Sequence, residues 1–226
     1  MKLLNHFSMQ GQVAIVTGAA AGIGRGIAET FAAAGASVFV SDLKLAKAEE
    51  AATAIRQAGG QAHAAVCNVT KGERPRATAA YRGRVLRQAH GAGQQRSGGG
   101  PKPFDMQIQD FQRTFELNVF SVFRLMQLAA PEIAKACGGA VLNISSMAGD
   151  NKNLRMVSYA SSNAAQSHLP RNTAFDFGPM NIRVNAIAPG ASVSAHAASV
   201  PGRHPSRCPR DGVIRVRARW PRCPRR

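Results

Sequence analysis

The feature that most constrains the fold is a cluster of glycines between a predicted strand and a predicted helix. A short β-branched run at 13–16 predicts the strand, and the composition of residues 19–31 predicts the helix, which Gly35 ends. Three glycines lie at their junction, which begins with Thr17: Gly18, Gly22 and Gly24. Because glycine has no Cβ atom, backbone N–H groups and the helix N-terminus can approach a pyrophosphate there. The turn therefore predicts a dinucleotide-binding site.

Strands and helices alternate along much of the remaining sequence at the spacing of βαβ units. The predicted strands are residues 37–41, 61–67, 140–145 and 182–187, and the predicted helices are residues 45–58, 111–128 and 158–177. Crossovers of this kind are right-handed and join parallel strands. We therefore expect a single α/β domain over residues 8–190, a doubly wound parallel sheet of the Rossmann type. A chain of 226 residues is long enough for one such core.

Asp42 is placed to discriminate between two forms of the dinucleotide. It ends the second predicted strand, 24 residues beyond Gly18. A carboxylate there can accept hydrogen bonds from the adenosine ribose hydroxyls and repels a 2′-phosphate, which favours NAD over NADP. The alternative is an ordinary glycine-rich turn followed by a surface aspartate, and the flanking strand and helix argue against it.

Cysteine spacing and hydropathy indicate neither a metal site nor a membrane segment. The four cysteines form no C-x-x-C pair and have no accompanying histidine spacing, so we expect free thiols: Cys67, Cys137, Cys208 and Cys223. No stretch reaches the roughly 18 apolar residues of a membrane span, and the first ten residues lack the apolar region and cleavage site of a signal peptide. These patterns predict a cytoplasmic protein with no membrane partner.

The net charge of +17 is concentrated in two segments. Residues 71–97 hold seven Lys and Arg against one acid, and residues 191–226 hold nine Arg against one Asp, so the two blocks contribute +14. The second block is rich in Arg and Pro, and we expect a disordered tail. One hypothesis is a nucleic-acid binder, but the tail has no aromatic interleaving beyond Trp220. The charge predicts non-specific, salt-dependent binding and no specific nucleic-acid partner.

Four features together resemble the short-chain dehydrogenase/reductase family. They are the T-G-x-x-x-G-x-G turn, Asn118 in a predicted helix, Ser146 ending a predicted strand, and Tyr159 thirteen residues later. The resemblance covers about residues 8–70 and 98–190. Within the family, the chain is most similar to the bacterial branch that oxidises the 7α-hydroxyl of bile acids with NAD, at residues 99–105, 116–121, 151–153 and 159–162.

The resemblance implies an alcohol dehydrogenase with a small-molecule secondary alcohol or steroid as its substrate. Tyr159 would be the general base, Ser146 would hydrogen-bond the same substrate oxygen, and Asn118 would hold a water molecule of the proton relay. The resemblance also implies the residues that bind NAD: Gly18, Gly22, Ile23, Gly24, Asp42, Asn68 (where the family usually has Asp), Val69, Pro189 and Gly190, with Ser194 in place of a usual Thr. Members of the family form tetramers through two long helices, here near 111–128 and 158–177.

One position departs from the family pattern, because the catalytic lysine of its Tyr-x-x-x-Lys motif is replaced by Asn163. In the family the lysine binds the nicotinamide ribose hydroxyls and, as a cation, stabilises the tyrosinate. The interaction energy of two unit charges about 4 Å apart is roughly 4 kcal/mol at an effective dielectric near 20. We expect Asn163 to retain a hydrogen bond to the ribose while turnover falls by orders of magnitude and shifts to alkaline pH. A catalytically inactive NAD-binding protein or scaffold is the alternative.

The second departure is the absence of the family's Asn-Asn-Ala-Gly turn after the fourth strand. Residues 91–96 can be encoded by GGT-GCT-GGT-CAA-CAA-CGC, one of several synonymous choices. The same bases read one position later would encode Val-Leu-Val-Asn-Asn-Ala, a buried strand followed by that turn. We therefore hypothesise that residues 71–97, and those beyond about 190 to 200, are translated out of frame. If the residues are as written, we expect the central fourth strand to be lost, along with the last helix and strand that complete the family's sheet.

Overall fold

The computed structural model describes residues 7–69, 101–152 and 154–190, and the backbone of 85–88. Within these residues lies one parallel sheet in the order β3-β2-β1-β4-β5-β6. Its strands are β1 Val13–Thr17, β2 Ser37–Asp42, β3 Gln61–Val66, β4 Val85–Gln88, β5 Gly139–Ile144 and β6 Ile182–Ile187. Strands β2 and β3 are added on one side of β1, and the chain then crosses back so that β4 pairs on the other side of β1. This reversal of the strand order creates the crevice where doubly wound folds bind ligands.

Helices cover both faces of the sheet. They are α1 Gly22–Ala33, α2 Leu45–Gln57, α3 Ile108–Phe115, α4 Ser121–Lys135 and α5 Val157–Phe177. Buried alanines and isoleucines of α1 and α2 pack on Val16, Val38 and Val40. On the opposite face, α4 packs on Ile15 and Val141. The predicted doubly wound architecture is therefore confirmed.

The helix predicted at 111–128 consists of three consecutive pieces. Between α3 and α4 lies a single π-helical turn, Glu116–Phe120, and α4 continues past the predicted end to Lys135. Pro131 lies inside α4 on its exposed side. Solvent can therefore satisfy the carbonyl whose partner the proline removes, which is why the helix does not end there.

The expectation that the chain as written lacks a central strand is wrong. Val85–Gln88 pairs in parallel with both β1 and β5, with Val85 aligned to Ala14 and to Ala140. Ladder hydrogen bonds use backbone groups, so a segment without the family's residues can still occupy this position. The strand is four residues long, whereas β1 and β5 have five and six.

Some features predicted from the sequence lie outside the described residues. They are the rest of 71–97, the tail at 191–226, Ser194, Cys208 and Cys223. Among the described residues, Cys67 and Cys137 are both in the thiol form, Cys67 buried and Cys137 exposed. Across the part of the chain that is described, no helix has the length and apolarity of a membrane span, and no cluster of His, Cys, Asp and Glu could hold a metal ion.

Candidate active site at the carboxyl edge of the sheet

The predicted site residues lie on segments that follow the carboxyl ends of the strands. The glycine-rich turn follows β1, Asp42 ends β2, Asn68 and Val69 follow β3, Ser146 follows β5, and Pro189 and Gly190 follow β6. All five strands run in the same direction, so these ends share one edge of the sheet. Asn118 and Tyr159 join them from the helices that cover this edge, Asn118 in the π turn and Tyr159 in the first turn of α5.

Two different backbone requirements explain the glycines of the turn. Gly18 and Gly22 have φ angles of +62° and +58°, in the left-handed region that favours glycine. Gly24 is needed for space, because a Cβ atom there would overlap the carbonyl oxygen of Gly18 and lie 2.9 Å from its carbonyl carbon. The turn and the start of α1 therefore pack backbone against backbone.

The N-terminus of α1 has the donor set that a pyrophosphate requires. Its N-cap residue, Ala21, makes no side-chain capping bond, and the first turn of the helix contains no acidic residue. The first N–H groups of a helix have no partner within the helix, and its dipole attracts an anion. Ile23 follows on the same turn and is 41% exposed. These residues fit the diphosphate of a nicotinamide dinucleotide.

Asp42 is tied to the glycine-rich turn as well as to its own strand end. Its Oδ2 accepts a hydrogen bond from the backbone N–H of Ala20 at 3.3 Å, and its Oδ1 accepts one from that of Lys44 at 3.4 Å. The backbone carbonyl of Asp42 accepts from the N–H of Cys67 at 3.0 Å, which brings half-buried Asn68 and Val69 alongside. A carboxylate offers about four lone-pair sites, so Asp42 retains acceptor capacity for hydroxyl groups.

The Ser146 hydroxyl accepts a hydrogen bond from the turn that follows β5. Its Oγ accepts a hydrogen bond from the backbone N–H of Ala148 at 3.2 Å and caps the short 3₁₀ turn Met147–Gly149. A serine hydroxyl both accepts and donates, so capping leaves the proton for another oxygen. Ser146 and Tyr159 are both half-buried.

The carbonyl oxygen of Tyr159 is the centre of a hydrogen-bond network in α5. It accepts from the Ser162 hydroxyl and from Nδ2 of Asn163, each at 2.9 Å. Nδ2 of Asn118 reaches the same network, since it donates to Oγ of Ser162 at 2.9 Å. The structure therefore joins Tyr159, Asn118 and Asn163 through Ser162 and one backbone carbonyl.

The side chain of Asn163 is directed back along its own helix. The residue is 3% exposed, and its Nδ2 donates one proton to the Tyr159 carbonyl. The backbone carbonyl of Asn163 accepts a hydrogen bond from Ser145 Oγ at 2.9 Å. The amide is shorter than a lysine side chain and carries no charge.

Sequence reasoning missed three residues that brace the site, Ser145, Gly149 and Ser162. A Cβ atom on Gly149 would lie 2.6 Å from the backbone nitrogen of Ala164, so the loop after β5 presses directly on α5. Ser145 ties β5 to α5, as described above. Each of the three acts through a contact with a residue at least three positions away in the sequence. The only sequence signal for these contacts is that all three side chains are small.

The loops after β5 and β6 are joined to each other. The backbone N–H of Met147 donates to the carbonyl of Pro189 at 3.1 Å, and that of Ser145 donates to Ile187 at 2.8 Å. A Cβ atom on Gly190 would lie 3.1 Å from Sδ of Met147. Pro189 and Gly190 therefore lie against the turn that Ser146 caps.

Comparisons with known proteins identify related sequences. Residues 12–203 match the family model described as short chain dehydrogenase. The chain is 52% identical over 200 residues to a 7alpha-hydroxysteroid dehydrogenase of Escherichia coli strain K12, covering 87% of this chain and 77% of the relative.

Solved structures show the same fold. A 7α-hydroxysteroid dehydrogenase complexed with NADH and 7-oxo glycochenodeoxycholic acid superposes with a TM-score of 0.76 at 49% identity, covering 88% of this chain and 77% of that one. A 3-oxoacyl-[acyl-carrier protein] reductase of Brucella melitensis superposes with a TM-score of 0.79 at 27% identity, covering 86% and 75%. The chain thus has relatives of two different activities, one far more similar in sequence than the other.

Proposed function

Because this chain belongs to the short chain dehydrogenase family, we propose that it oxidises a secondary alcohol to a ketone with NAD, and that its substrate is the 7α-hydroxyl of a bile acid. The observation that carries the proposal is the 52% identity to a 7alpha-hydroxysteroid dehydrogenase across most of both chains. The hydrogen bonds that join Asn163, and Asn118 through Ser162, to the Tyr159 carbonyl support it, because they hold Tyr159 at the edge of the sheet where Ser146 supplies a hydroxyl donor.

A nicotinamide cofactor held by the glycine-rich turn and Asp42 would supply the acceptor for the hydride of the carbinol carbon. Tyr159 takes the proton of the substrate hydroxyl, while Ser146 donates a hydrogen bond to the same oxygen and holds it in place. The products are the ketone, NADH and one proton.

Asp42 supports the choice of NAD over NADP. Its carboxylate has acceptor capacity left beside the bonds to Ala20 and Lys44, which suits two ribose hydroxyls. A 2′-phosphate at that place would bring two negative groups together, which is unfavourable at close range. We expect Asp42→Ala to narrow the preference for NAD, measured as the ratio of NADH to NADPH affinities by calorimetry.

We expect Asn163 to lower the rate of this alcohol oxidation. It supplies hydrogen bonds and no positive charge, so the tyrosinate form of Tyr159 loses the stabilisation that a nearby cation provides. Binding of NADH is less affected, because the glycine-rich turn, the α1 N-terminus and Asp42 do not depend on residue 163. The same substitution supports the second candidate function, an NAD-binding protein without catalytic activity.

One pair of measurements separates the two functions. Calorimetry with NADH tests binding, and absorbance at the NADH band tests cholate oxidation between neutral and alkaline pH. Binding together with slow oxidation that accelerates with pH supports the dehydrogenase. Binding with no oxidation at any pH, and none after Asn163→Lys, supports the inactive NAD-binding protein.

We also infer a cytoplasmic homotetramer without a specific nucleic-acid or membrane partner. Apolar side chains of α4 and α5 remain exposed in the single chain, among them Phe123 at 41% and Phe175 at 77%. A second copy covering these two helices would bury them. Light scattering that gives the mass of a single chain for the wild type, or an unchanged assembly for Phe175→Glu, would contradict this.

A further inference from the structure

Ser162 is completely buried and joins two residues of the site. Its Oγ is one end of the 2.9 Å hydrogen bond from Asn118 Nδ2 and of the 2.9 Å hydrogen bond to the Tyr159 carbonyl. Asn118 is in the π turn between α3 and α4, and Tyr159 is in α5. One hydroxyl group therefore connects two separate helical segments at the carboxyl edge of the sheet.

The chemistry of this hydroxyl determines how the Asn118 amide is oriented. A serine hydroxyl has one proton, and a backbone carbonyl can only accept, so the Ser162 proton is committed to Tyr159. Towards Asn118 the hydroxyl can then only accept. The NH₂ end of the amide must face Ser162, and the oxygen end must face away from it.

We propose that Ser162 is a positioning residue for the alcohol oxidation: it fixes the backbone of Tyr159 and makes Asn118 present its acceptor oxygen, rather than its NH₂ group, to the reaction. The inference rests on the proposed function and deepens it. An acceptor oxygen on Asn118, whose amide is linked through Ser162 to the backbone of Tyr159, can take a hydrogen bond from the water or hydroxyl that carries the proton away. Without Ser162 the Asn118 amide can rotate so that its two ends exchange places. The NH₂ end only donates hydrogen bonds and the oxygen end only accepts them.

The kinetic test uses Ser162→Ala, Ser162→Thr and the wild type, each also in an Asn163→Lys background so that rates are easily measured. We expect Ser162→Ala to lower kcat about 5- to 10-fold, the effect of one lost hydrogen bond of about 1 kcal/mol. The KM for NAD and the affinity for NADH should change less than about twofold. Ser162→Thr keeps the hydroxyl and should restore most of kcat.

Thr173→Val provides a matched control on the same helix. Thr173 is 4% exposed and its hydroxyl donates to the Leu169 carbonyl at 3.0 Å, so it makes the same kind of bond to its own helix but none to another element in the described part of the chain. We expect this variant to lose stability without a change in kcat. If both variants lower kcat alike, or if Ser162→Ala lowers it not at all, the proposal is wrong.

Two further readouts distinguish positioning from a structural role. In an Asn118→Ala background, Ser162→Ala should have little additional effect on kcat, because the residue acts partly through Asn118. In protein labelled with ¹⁵N-asparagine, the side-chain NH₂ signals of Asn118 should move in Ser162→Ala and stay in place in Ser162→Thr and Thr173→Val. This NMR measurement needs no turnover, so unchanged Asn118 signals overturn the proposal, whereas absent alcohol oxidation with shifted signals contradicts the proposed function.

Discussion

Asn163 occupies the position at which the resemblance to the family implies a catalytic lysine. Its Nδ2 donates to the Tyr159 carbonyl, so a longer side chain must give up that bond to extend towards the cofactor. We expect Asn163→Lys to raise kcat by about two orders of magnitude or more and to move the rise in rate towards neutral pH. The reason is the cation, which at about 4 Å is worth roughly 4 kcal/mol to a neighbouring anion at an effective dielectric near 20.

The charge effect can be separated from the effect of side-chain length. Asn163→Gln lengthens the side chain without adding charge, so it should leave the rate and its pH dependence close to those of the wild type. The measurement is initial NADH formation from cholate across pH, with NADH affinity measured in parallel. A lysine variant that binds NADH but turns over no faster than the glutamine variant would refute this account of Asn163.

Two glycines of α1 offer a comparison in which only the local space differs. A Cβ atom at Gly24 would meet the carbonyl of Gly18, whereas at Gly26 it would meet nothing within 4 Å. Gly24→Ala must push the turn away from α1, so we expect lower thermal stability and weaker NADH binding. Gly26→Ala should stabilise the chain by about 0.5–1 kcal/mol, since alanine is the better helix former. Equal effects of the two substitutions in thermal melts would show that the close approach at Gly24 is unimportant.

At the scale of elements, three polar side chains form a row on the face of the sheet that α4 and α5 cover. Thr17 is in register with Ser41 on β2 and with Gln88 on β4, and Gln88 is in register with Asn143 on β5. Thr17, Ser41 and Asn143 are each at most 1% exposed, and their side-chain polar atoms have no hydrogen-bond partner in the described part of the structure. Unpaired buried polar groups cost about 1–3 kcal/mol each.

This row predicts that apolar substitutions there are stabilising. Thr17→Val keeps the shape of the side chain and removes an unpaired hydroxyl, so we expect the free energy of unfolding to rise by about 1 kcal/mol. Thr173→Val removes a hydroxyl that is bonded to Leu169 and should lower it. Denaturant unfolding of the two variants gives the comparison, and a loss of stability in Thr17→Val would mean that the hydroxyl has a partner after all.

Five of the six strands followed from local patterns, whereas β4 and the contacts that complete the site did not. The β-branched run at 13–16 and the βαβ spacing were sufficient for those five strands, and β6 begins and ends at the predicted residues. Helix α1 begins at Gly22 rather than at Ala19, because positive φ angles at Gly18 and Gly22 take the intervening alanines out of the helix despite their helical propensity. The π turn at Asn118 has no local signal in the sequence, and its bond to Ser162 of α5 is a tertiary contact.

The site shows the same division between local and tertiary information. The family pattern gave Tyr159, Ser146 and Asn118, which the structure brings to one edge of the sheet. It did not give Ser162 as their link, because that role depends on a bond between residues 44 positions apart. The hydrogen bond of the Asn163 amide could also be found only from the structure, since the sequence does not show that the amide donates to the Tyr159 carbonyl of its own helix.

At the scale of the whole molecule, the central strand separates the two explanations for the basic segments. A parallel central strand is covered on both faces and normally consists of nearly continuous apolar residues. The chain as written places Val85, Leu86, Arg87 and Gln88 there, whereas the shifted reading of residues 91–96 supplies Val-Leu-Val followed by Asn-Asn-Ala. Outside the two basic blocks the net charge is only +3, so the blocks differ from the remaining chain in charge as well as in pattern.

We therefore predict that a chain with the reading frame restored in both blocks is the more stable protein. The shifted frame supplies an apolar run for the central strand, which increases the buried apolar area. Removing the arginines of the two basic blocks lowers the positive charge and so reduces self-repulsion and non-specific binding to nucleic acid. The restored chain should melt at a higher temperature and elute from heparin at lower salt than the chain as written. Resequencing of the gene should show the frame changes, and mass spectrometry of the natural protein should detect peptides of the shifted frame. An intact single frame in independent DNA, with peptides from 71–97 as written, would contradict the hypothesis and make the basic segments genuine parts of the molecule.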